Sequence, residues 1–269
     1  MRRPVKAFDR GSRAKLLRHG FLQYRTALHG RGVESRVPMA LLELFELGGL
    51  DGRRYSLFSW RARLALGHKG LAFESRPVKV SDKAAIEFSG QKRVPILRTG
   101  SCVVHDSWRI AEFLEREFPD RPTLFGGVGG LALSRFVNGW VDRTVVAAVA
   151  PNVAAAIPAC VEPDDAAHLR AGLERGFGRT LEEMWAAREA GLERLNAVLE
   201  PLRALVKERP FLGGETPLYA DYIAASPFQW ARIVCAEPVL EAGDPVAVWF
   251  ERVLELHDGL ARSEPARGR

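Results

Sequence analysis

The order of apolar runs between Ala40 and Phe118 constrains the fold of this chain more than any other feature of its sequence. Four of these runs have the length and apolarity of strands, and two have helical periodicity. In chain order the predicted elements are strand 40–45, helix 57–69, strands 73–80, 95–99 and 102–105, and helix 108–118. This order predicts a small mixed sheet covered by helices.

A stretch rich in proline and glycine separates this region from the rest of the chain. Pro119-Asp-Arg-Pro122 and Gly126-Gly-Val-Gly-Gly130 sustain neither helix nor strand, which is typical of a linker. The helical patterns beyond it lie at 131–150, 164–175, 180–207, 220–234 and 246–261. The sequence therefore predicts a first domain at 39–120, a linker at 121–130 and an all-helical domain at 131–269.

Composition narrows the classes of protein. The chain has 269 residues, of which 47% are hydrophobic, so it can bury a substantial core. The most apolar stretch, 144–160, is interrupted by Pro151, Asn152 and Pro158. We therefore expect no segment with the roughly 20 uninterrupted apolar residues that span a bilayer, and no membrane partner.

The positive charge is concentrated at the N-terminus. Residues 1–38 carry ten Lys and Arg against Asp9 and Glu34, whereas residues 39–269 carry 29 basic and 31 acidic residues. The main part of the chain is close to neutral, which argues against a nucleic-acid partner. The extension at 1–38 is either a transit-like segment, a disordered basic arm, or an upstream translation product with Met39 as the true start. The last two are favoured.

The cysteines indicate a reducing compartment. Cys102, Cys160 and Cys235 are odd in number and widely separated, with no C-x-x-C and no histidine at metal spacing. We expect neither a disulfide framework nor a metal site, and a cytoplasmic location.

The S-x-x-S motif of Ser56 and Ser59 opens the first predicted helix. If that helix starts at Leu57, Ser56 is its N-cap, whereas Ser59 lies one turn inside and is structural. Tyr55 is a possible but less favoured hydroxyl for chemistry, since it is expected to point aside.

The first domain, Val94-Pro95 at a strand start, Asp106-Ser107 opening a helix, and the helical second domain together resemble the glutathione S-transferase family over residues 39 to about 264. The motifs look most like the bacterial glutathione-dependent β-aryl etherases of lignin breakdown and their fungal relatives. These motifs are Ser56-Leu-Phe-Ser-Trp-Arg61, His68-Lys-Gly70, Arg93-Val-Pro95, Asp106-Ser-Trp108, Pro119-Asp-Arg-Pro122, Phe211-Leu-Gly-Gly214 and Ala220-Asp-Tyr222. The resemblance implies an α/β plus all-α protein, in which a thioredoxin-like domain with a mixed four-stranded sheet precedes an all-helical domain.

The resemblance also implies a glutathione site. Val94, before a cis Pro95, would pair with the cysteinyl backbone of glutathione. Ser107 would hold the γ-glutamyl carboxylate and Asp106 the ammonium group. The alternatives are an ordinary strand-entry proline and a plain helix cap. Four basic residues could bind the glycine carboxylate of glutathione, and Lys83 and Arg93 are the predicted contacts. The alternative role for each is that of a solvated surface charge, which is common for such residues. These four are Lys79, Lys83, Lys92 and Arg93.

The implied chemistry is activation of a thiolate. Ser56 matches the etherase serine and is the predicted catalytic residue, with glutathione as co-substrate. With serine at both S-x-x-S positions, neither dithiol exchange nor a mixed disulfide can form, so a transferase is favoured over a reductase.

The second substrate is expected between the domains. The candidates are Phe136, Trp140, Arg143 and Thr144, which would suit a hydrophobic or aromatic electrophile, including a β-aryl ether. Aromatic residues at this spacing are more often core. A non-catalytic, ligandin-type protein that carries hydrophobic aromatics is the alternative function, and a homodimer is the expected assembly.

Overall fold

The computed structural model describes residues 41–268, so the prediction for the basic extension at 1–38 lies outside the described residues. The first domain has the predicted order of elements. Its strands and helices are β1 Leu42–Leu47, α1 Leu57–His68, β2 Glu74–Val78, β3 Ile96–Thr99, β4 Cys102–His105 and α2 Ser107–Glu117. Short 3-10 segments at Leu50–Gly52 and Ala84–Ser89, which the sequence patterns did not indicate, connect them.

The four strands form one mixed sheet in the order β2-β1-β3-β4. Strand β1 is parallel to β2, with Leu44 opposite Ser75, and antiparallel to β3, with Leu44 opposite Leu97. Strands β3 and β4 form a hairpin whose turn contains Gly100 at a φ of 55°, a conformation that glycine adopts without steric cost. The predicted thioredoxin-like fold class is confirmed.

Both faces of the sheet are buried because successive side chains of β1 point to opposite sides. Leu42 and Leu44 pack with Trp60 of α1 in the main core. Phe45 points the other way, into a smaller core with Ile86 and Ile96. Helix α1 therefore lies against one face of the sheet, which places its N-terminus at the edge where the candidate site is formed.

The second domain is helical, as predicted. Its helices are α3 Val128–Trp140, α4 Val146–Val153, α5 Pro163–Phe177, α6 Leu181–Ala186, α7 Arg188–Val198, α8 Glu200–Glu208, α9 Tyr219–Val234 and α10 Pro245–Gly259. A π-helical segment, Val141–Val145, joins α3 to α4, and a 3-10 segment, Ala154–Cys160, follows α4.

Two expectations about these helices need correction. The helix predicted at 180–207 is three helices, and the last break precedes Pro201, which lies in the first turn of α8 where proline is tolerated. Helix α3 starts at Val128, inside the predicted linker. Glycine is required at 130 because a Cβ there would lie 1.7 Å from the carbonyl oxygen of Phe125.

The run Val128–Cys160 is, by length and composition alone, sufficient to cross a membrane, with a hydropathy of 1.4. The expectation that no segment would reach this length and apolarity is therefore not met. In this fold the run supplies Val141, Val145 and Val149 to the main core. A core helix of a soluble protein passes the same test, so the run is weak support for a membrane role.

Asp221 organises the second domain from a fully buried position near the start of α9. Its carboxylate accepts the backbone N–H groups of Leu212 (2.7 Å), Gly213 (3.2 Å) and Leu218 (2.9 Å), and the indole N–H of Trp249 (3.1 Å). Leu218 has no side-chain acceptor to complete a capping box, so Asp221 supports the fold through its own acceptors alone.

Candidate functional site

The site begins at the N-terminus of α1. The helix starts at Leu57, and Ser56 is its N-cap with an extended backbone, as predicted. The N–H of Ser59 donates to the Ser56 Oγ at 3.3 Å. This bond uses a lone pair of the oxygen, so the hydroxyl proton remains able to donate to another acceptor. First-turn amides of the helix add a partial positive charge at the same place.

The neighbouring hydroxyls of Tyr55 and Ser59 are buried. Tyr55 is buried, and a Cβ on Gly49 would lie 3.1 Å from its ring and 2.2 Å from the carbonyl oxygen of Cys160. Burial raises the pKa of the Tyr55 phenol, and the nearby charge of Asp165 raises it further. Within residues 41–268, the Tyr55 hydroxyl and the Ser59 Oγ are buried without a hydrogen-bond partner.

The other predicted glutathione contacts meet at the head of α2. The Val94–Pro95 peptide bond is cis, and the N–H of Asp106 donates to the Pro95 carbonyl at 3.3 Å. Asp106 is the N-cap of α2, and its Oδ1 accepts the N–H groups of Trp108 (3.0 Å) and Arg109 (3.2 Å). Pro95 and Asp106 are therefore adjacent, and the capping geometry is realised.

Ser107 links this corner to the second domain. Its side chain is buried, and the hydroxyl of Tyr219 donates to its backbone carbonyl at 2.7 Å. Asp106 has a φ of 72° and a ψ of 129°, an irregular backbone conformation at the turn into α2 from which its side chain caps the helix. The residue types at 106 and 107 thus fit both the turn and the capping role.

A cavity of ≈ 330 Å³ opens at this corner, between α1, α2 and α3. It is lined by Phe58, Arg61, Asp106, Ser107, Trp108, Arg109, Arg135, Asn138 and Asp142. A second cavity of ≈ 530 Å³ shares Asp106, Trp108, Arg109 and Arg135 with it and extends to Val128 and Leu131. The guanidinium of Arg135 lies 4.7 Å from the centre of the Trp108 ring, so aromatic and cationic surface face the same space.

A buried arginine, which sequence reasoning did not single out, forms the floor between the domains. Arg61 is 1% exposed. Its Nη2 pairs with Asp142 Oδ1 (2.8 Å), its Nη1 donates to Asn138 Oδ1 (3.2 Å) and its Nε donates to Ser226 Oγ (2.8 Å). The signal was present in the helical pattern, because Leu57, Trp60, Arg61 and Leu64 share one face of α1.

Asp142 lies in the π-helical segment Val141–Val145. Such segments insert one extra residue into a helical turn and are frequent at functional sites. Asn138 donates to the Asp142 Oδ2 at 2.8 Å, so the two side chains that meet Arg61 also orient each other. The irregular turn thus presents a carboxylate to a charge on the other domain.

The predicted second-substrate residues take other positions. Phe136 is 74% exposed, Trp140 packs against the main core, Arg143 is exposed and Thr144 is half-buried. None of them lines either of the two cavities just described, whereas Arg135, Asn138 and Asp142 of the same helical run do.

The cations considered for the glycine carboxylate are exposed and do not line these two cavities. Lys83 precedes the 3-10 segment Ala84–Ser89, and Arg93 immediately precedes Val94. Lys79 and Lys92 are also exposed. Across residues 41–268, no group of three or more His, Cys, Asp or Glu side chains is arranged to hold a metal ion.

Two protein-family models match the chain. Residues 50–122 match the N-terminal domain of glutathione S-transferase, and residues 132–259 match its C-terminal domain. The chain belongs to the glutathione S-transferase family. The two matched ranges flank the Pro- and Gly-rich stretch that separates the sheet from the helices.

Solved structures of the family share this architecture. A glutathione S-transferase of Ceriporiopsis subvermispora, CsGST63524, in complex with glutathione, has a TM-score of 0.71 at 20% identity and covers 82% of this chain and 97% of its own. Glutathione transferase GSTFuA3 of Phanerochaete chrysosporium has a TM-score of 0.63 at 26% identity, over 82% of this chain and 93% of its own. At 20% sequence identity, the structural likeness to CsGST63524 shows a shared fold alone.

Proposed function

We propose that this family member is a glutathione transferase in which Ser56 stabilises the glutathione thiolate for attack on a hydrophobic or aromatic electrophile. The observation that carries the proposal is the position of Ser56, at the cap of α1 with its oxygen accepting the Ser59 N–H and its proton able to donate. A thiolate beside it would accept that proton and also lie at the positive end of the helix.

The energy required is within reach of such a site. A free thiol with a pKa near 8.5 is mostly protonated at neutral pH. Lowering that pKa by about two units requires a preference for the thiolate of roughly 2.7 kcal/mol. A hydrogen bond to a charged acceptor contributes about 1.5–3 kcal/mol, and a helix N-terminus about 0.3–1 kcal/mol. Together these two effects cover the requirement.

Two of the protein's three thiols are poorly suited to this role. Cys160 and Cys235 are buried, and burial raises the pKa of both. A buried thiol with a raised pKa is a poor nucleophile. The sulfur that reacts is therefore proposed to be that of glutathione, and the product a thioether.

Glutathione is proposed to bind along the line from Ser56 to the head of α2, with Val94, Pro95, Asp106 and Ser107 as contacts. The adjacency of Pro95 and Asp106, and the opening of the ≈ 330 Å³ cavity beside Asp106 and Ser107, support the contacts proposed at the head of α2. That a relative's structure was determined in complex with glutathione supports it as well. Lys83 or Arg93 is proposed for the glycine carboxylate.

The electrophile is proposed to carry an aryl group, and a β-aryl ether is the favoured substrate class. Phe58 and Trp108 are the two aromatic residues of a cavity whose other lining side chains are charged or polar, and their rings supply the surface that suits an aryl group. In the ether reaction the thiolate would attack the carbon that bears the aryloxy group. A C–S bond would form, the C–O bond would break, and a phenolate would leave with the electron pair. Phe136, Trp140, Arg143 and Thr144 remain candidates for outer contacts.

A cytoplasmic homodimer is the proposed form of the protein. Val128, Leu133 and Phe136 of α3 are 87%, 68% and 74% exposed, which is unusual for large apolar side chains on one helix. Covering them against a second copy would remove this apolar surface from water. Sedimentation at several concentrations tests the assembly.

The function is tested by glutathione-dependent turnover of the purified protein with a panel of β-aryl ethers and general aryl electrophiles. We expect Ser56→Ala to lower kcat/KM for glutathione at neutral pH by roughly tenfold to a hundredfold, as a shift of one to two pKa units requires. Ser59→Ala is the matched control, since it keeps the N–H that caps onto Ser56, and we expect it to retain activity.

Absence of turnover with every member of the panel, together with equal glutathione binding by the native protein and Ser56→Ala, would refute the enzyme proposal. Tight binding of hydrophobic aromatics without product would then favour the ligandin-type alternative. Turnover of general electrophiles but not of ethers would keep the transferase and discard the ether substrate.

A further inference from the structure

Arg53 and Arg54, which directly precede Tyr55 and Ser56, contact the C-terminal end of the described chain. The N–H of Arg54 donates to the carboxylate of Glu264 at 3.1 Å. The guanidinium of Arg53 donates to the carbonyl of Pro265 at 3.0 Å. These bonds join positions 210 and 212 residues apart, so they form only in the folded protein.

Arg54 is held on its other sides as well. Its carbonyl accepts the indole N–H of the fully buried Trp60 at 2.6 Å. Its Nε donates to Ser75 Oγ at 2.9 Å, and that hydroxyl donates to the buried carboxylate of Glu46 at 2.6 Å. The backbone just before Ser56 is therefore fastened to the sheet, to α1 and to the C-terminal segment.

The C-terminal segment, residues 260–268, is itself fixed on the second domain. Arg232 of α9 donates to the Glu264 carbonyl at 2.7 Å, and its own carbonyl accepts the N–H of Arg267 at 2.9 Å. Gln229 donates to the Ala261 carbonyl at 2.8 Å. Because the segment is held in this way, the carboxylate of Glu264 has a defined position, from which it accepts the Arg54 N–H.

We propose that Glu264 is a positioning residue for Ser56, and that the segment 260–268 ties the loop that carries the catalytic serine to the second domain. This inference rests on the proposed role of Ser56. The segment Gly48 to Arg54, which contains the short 3-10 turn Leu50–Gly52, leads into the cap, and the cap geometry sets the direction of the Ser56 hydroxyl. Moving a hydrogen-bond donor a short distance away from a developing charge removes much of the stabilisation that the donor provides.

The consequence is specific to the ionisation of the thiol. Without the Glu264 carboxylate, the Ser56 hydroxyl points less well at the thiolate, so the pKa of bound glutathione rises. We expect Glu264→Ala to raise that pKa by about one unit, from about 6.5 to about 7.5, which lowers kcat/KM for the electrophile at saturating glutathione and pH 6.5 by roughly fivefold. At pH 9, where bound glutathione is almost fully ionised in both proteins, we expect the loss to disappear. Glu264→Gln keeps an acceptor for the Arg54 N–H, and we expect it to restore most of the activity.

The chain offers a matched control on the same segment. Glu251 pairs with Arg262 at the exposed surface of α10 and belongs to the second domain. Glu251→Gln removes a negative charge that contacts the same segment, but it does not touch the loop, and Arg262 keeps Glu255 as a partner. We expect its pH profile to match that of the native protein.

The experiment measures the pKa of bound glutathione, from thiolate absorbance, in the native protein, Ser56→Ala, Glu264→Ala, Glu264→Gln and Glu251→Gln. A raised pKa in both Ser56→Ala and Glu264→Ala, with rescue by Gln, supports the positioning role. An unchanged pKa in Glu264→Ala beside a raised one in Ser56→Ala overturns it while the function stands. An unchanged pKa in Ser56→Ala overturns both. Should Glu264→Ala fail to fold, Glu264→Ser, whose short side chain withdraws the acceptor from the Arg54 N–H, is compared with Glu251→Gln, and an unchanged pKa of bound glutathione in Glu264→Ser overturns the proposal.

Discussion

Acidification is expected to destabilise this protein through three hydrogen-bonded side chains that join its domains. His68 lies at the end of α1, Tyr222 in α9, and His257 where α10 leaves helical geometry. The Tyr222 hydroxyl lies 2.6 Å from His68 Nδ1 and 2.8 Å from His257 Nε2. His68 Nε2 lies 2.9 Å from the Thr123 carbonyl.

These contacts assign the protons. A carbonyl only accepts, so His68 Nε2 carries a proton and donates to Thr123. His68 Nδ1 must then accept the proton of the Tyr222 hydroxyl. The Tyr222 oxygen in turn accepts the N–H of His257 Nε2. With both rings neutral every group in the chain is satisfied, whereas with both rings protonated His68 Nδ1 and His257 Nε2 would each donate to the Tyr222 oxygen and the Tyr222 proton would have no acceptor among these groups.

The pKa values of both histidines are lowered, which favours the neutral rings. Burial lowers the pKa of His68, and the adjacent positive charge of Lys69 lowers it further, against opposing effects of the Thr123 carbonyl and of Glu115. Burial, with a smaller contribution from His68, lowers the pKa of His257 from 6.5 to about 4, although Asp258 opposes the shift.

The lowered pKa of His257 makes the stability of the folded protein depend on pH. Between the unfolded pKa of 6.5 and the folded value of about 4, the unfolded state binds more protons than the folded state. Stability is therefore present above pH 6.5 and is lost as the pH falls through the folded pKa. Unscreened, a shift of about 2.5 units corresponds to about 3.4 kcal/mol for His257. Since the ring is only partly buried, solvent screening reduces this to about 1–2 kcal/mol.

Urea unfolding, followed by tryptophan fluorescence from pH 7.5 to 4.5, measures this. The comparison variant is His257→Asn, because Asn does not titrate and tolerates the left-handed backbone that His257 adopts, with a φ of 55°. We expect the native protein to lose about 1–2 kcal/mol more than His257→Asn over this range. His168→Asn, at an exposed position of α5, is the control and should behave as the native protein does. Equal pH dependence in the native protein and His257→Asn would refute the reasoning.

Three further predictions concern single residues. Asp221→Ala leaves four buried donors without an acceptor and is expected to cost about 3–5 kcal/mol of unfolding free energy, seen as a lower urea midpoint; a loss below about 1 kcal/mol would contradict the assigned role. Gly49→Ala places a Cβ 2.2 Å from the Cys160 carbonyl and should cost about 1–3 kcal/mol, whereas Gly139→Ala, in open space on α3, should stabilise, both by thermal melting. Asp106→Asn keeps the cap of α2 and tolerates its backbone, so we expect the KM for glutathione to rise about fivefold to tenfold with little change in melting temperature; an unchanged KM would exclude a role in binding the ammonium group.

Much of the first domain follows from local sequence patterns. The cap at Ser56 and the start of α1 at Leu57 depend on residues within one helical turn, so a capping serine before an apolar helical pattern is sufficient to predict them. The order of strands and the cap at Asp106 are local in the same sense. The apolar pattern continues across the break before α8 and therefore predicts one helix, although Pro201 marks the start of a new one.

The lining of the cavity was harder to predict because it depends on the rotation of one helical run. Helix α3 is apolar around much of its circumference, so its pattern does not choose a face. One residue, a rotation of about 100°, separates Arg135 from the predicted Phe136, and two residues, about 200°, separate Asn138 from it. The π-helical segment after α3 then shifts the face again, which brings Asp142 to Arg61.

The sequence by itself determined the family, the order of elements, the position of Ser56 and the absence of cysteine from the S-x-x-S motif. Each of these depends on residue identity over a few neighbouring positions. Only the tertiary structure decided that Arg61 meets Asp142 across the domains and that Glu264 reaches Arg54. Such contacts join residues separated by most of a domain or by most of the chain. Their formation depends on how whole elements pack, which no local pattern encodes.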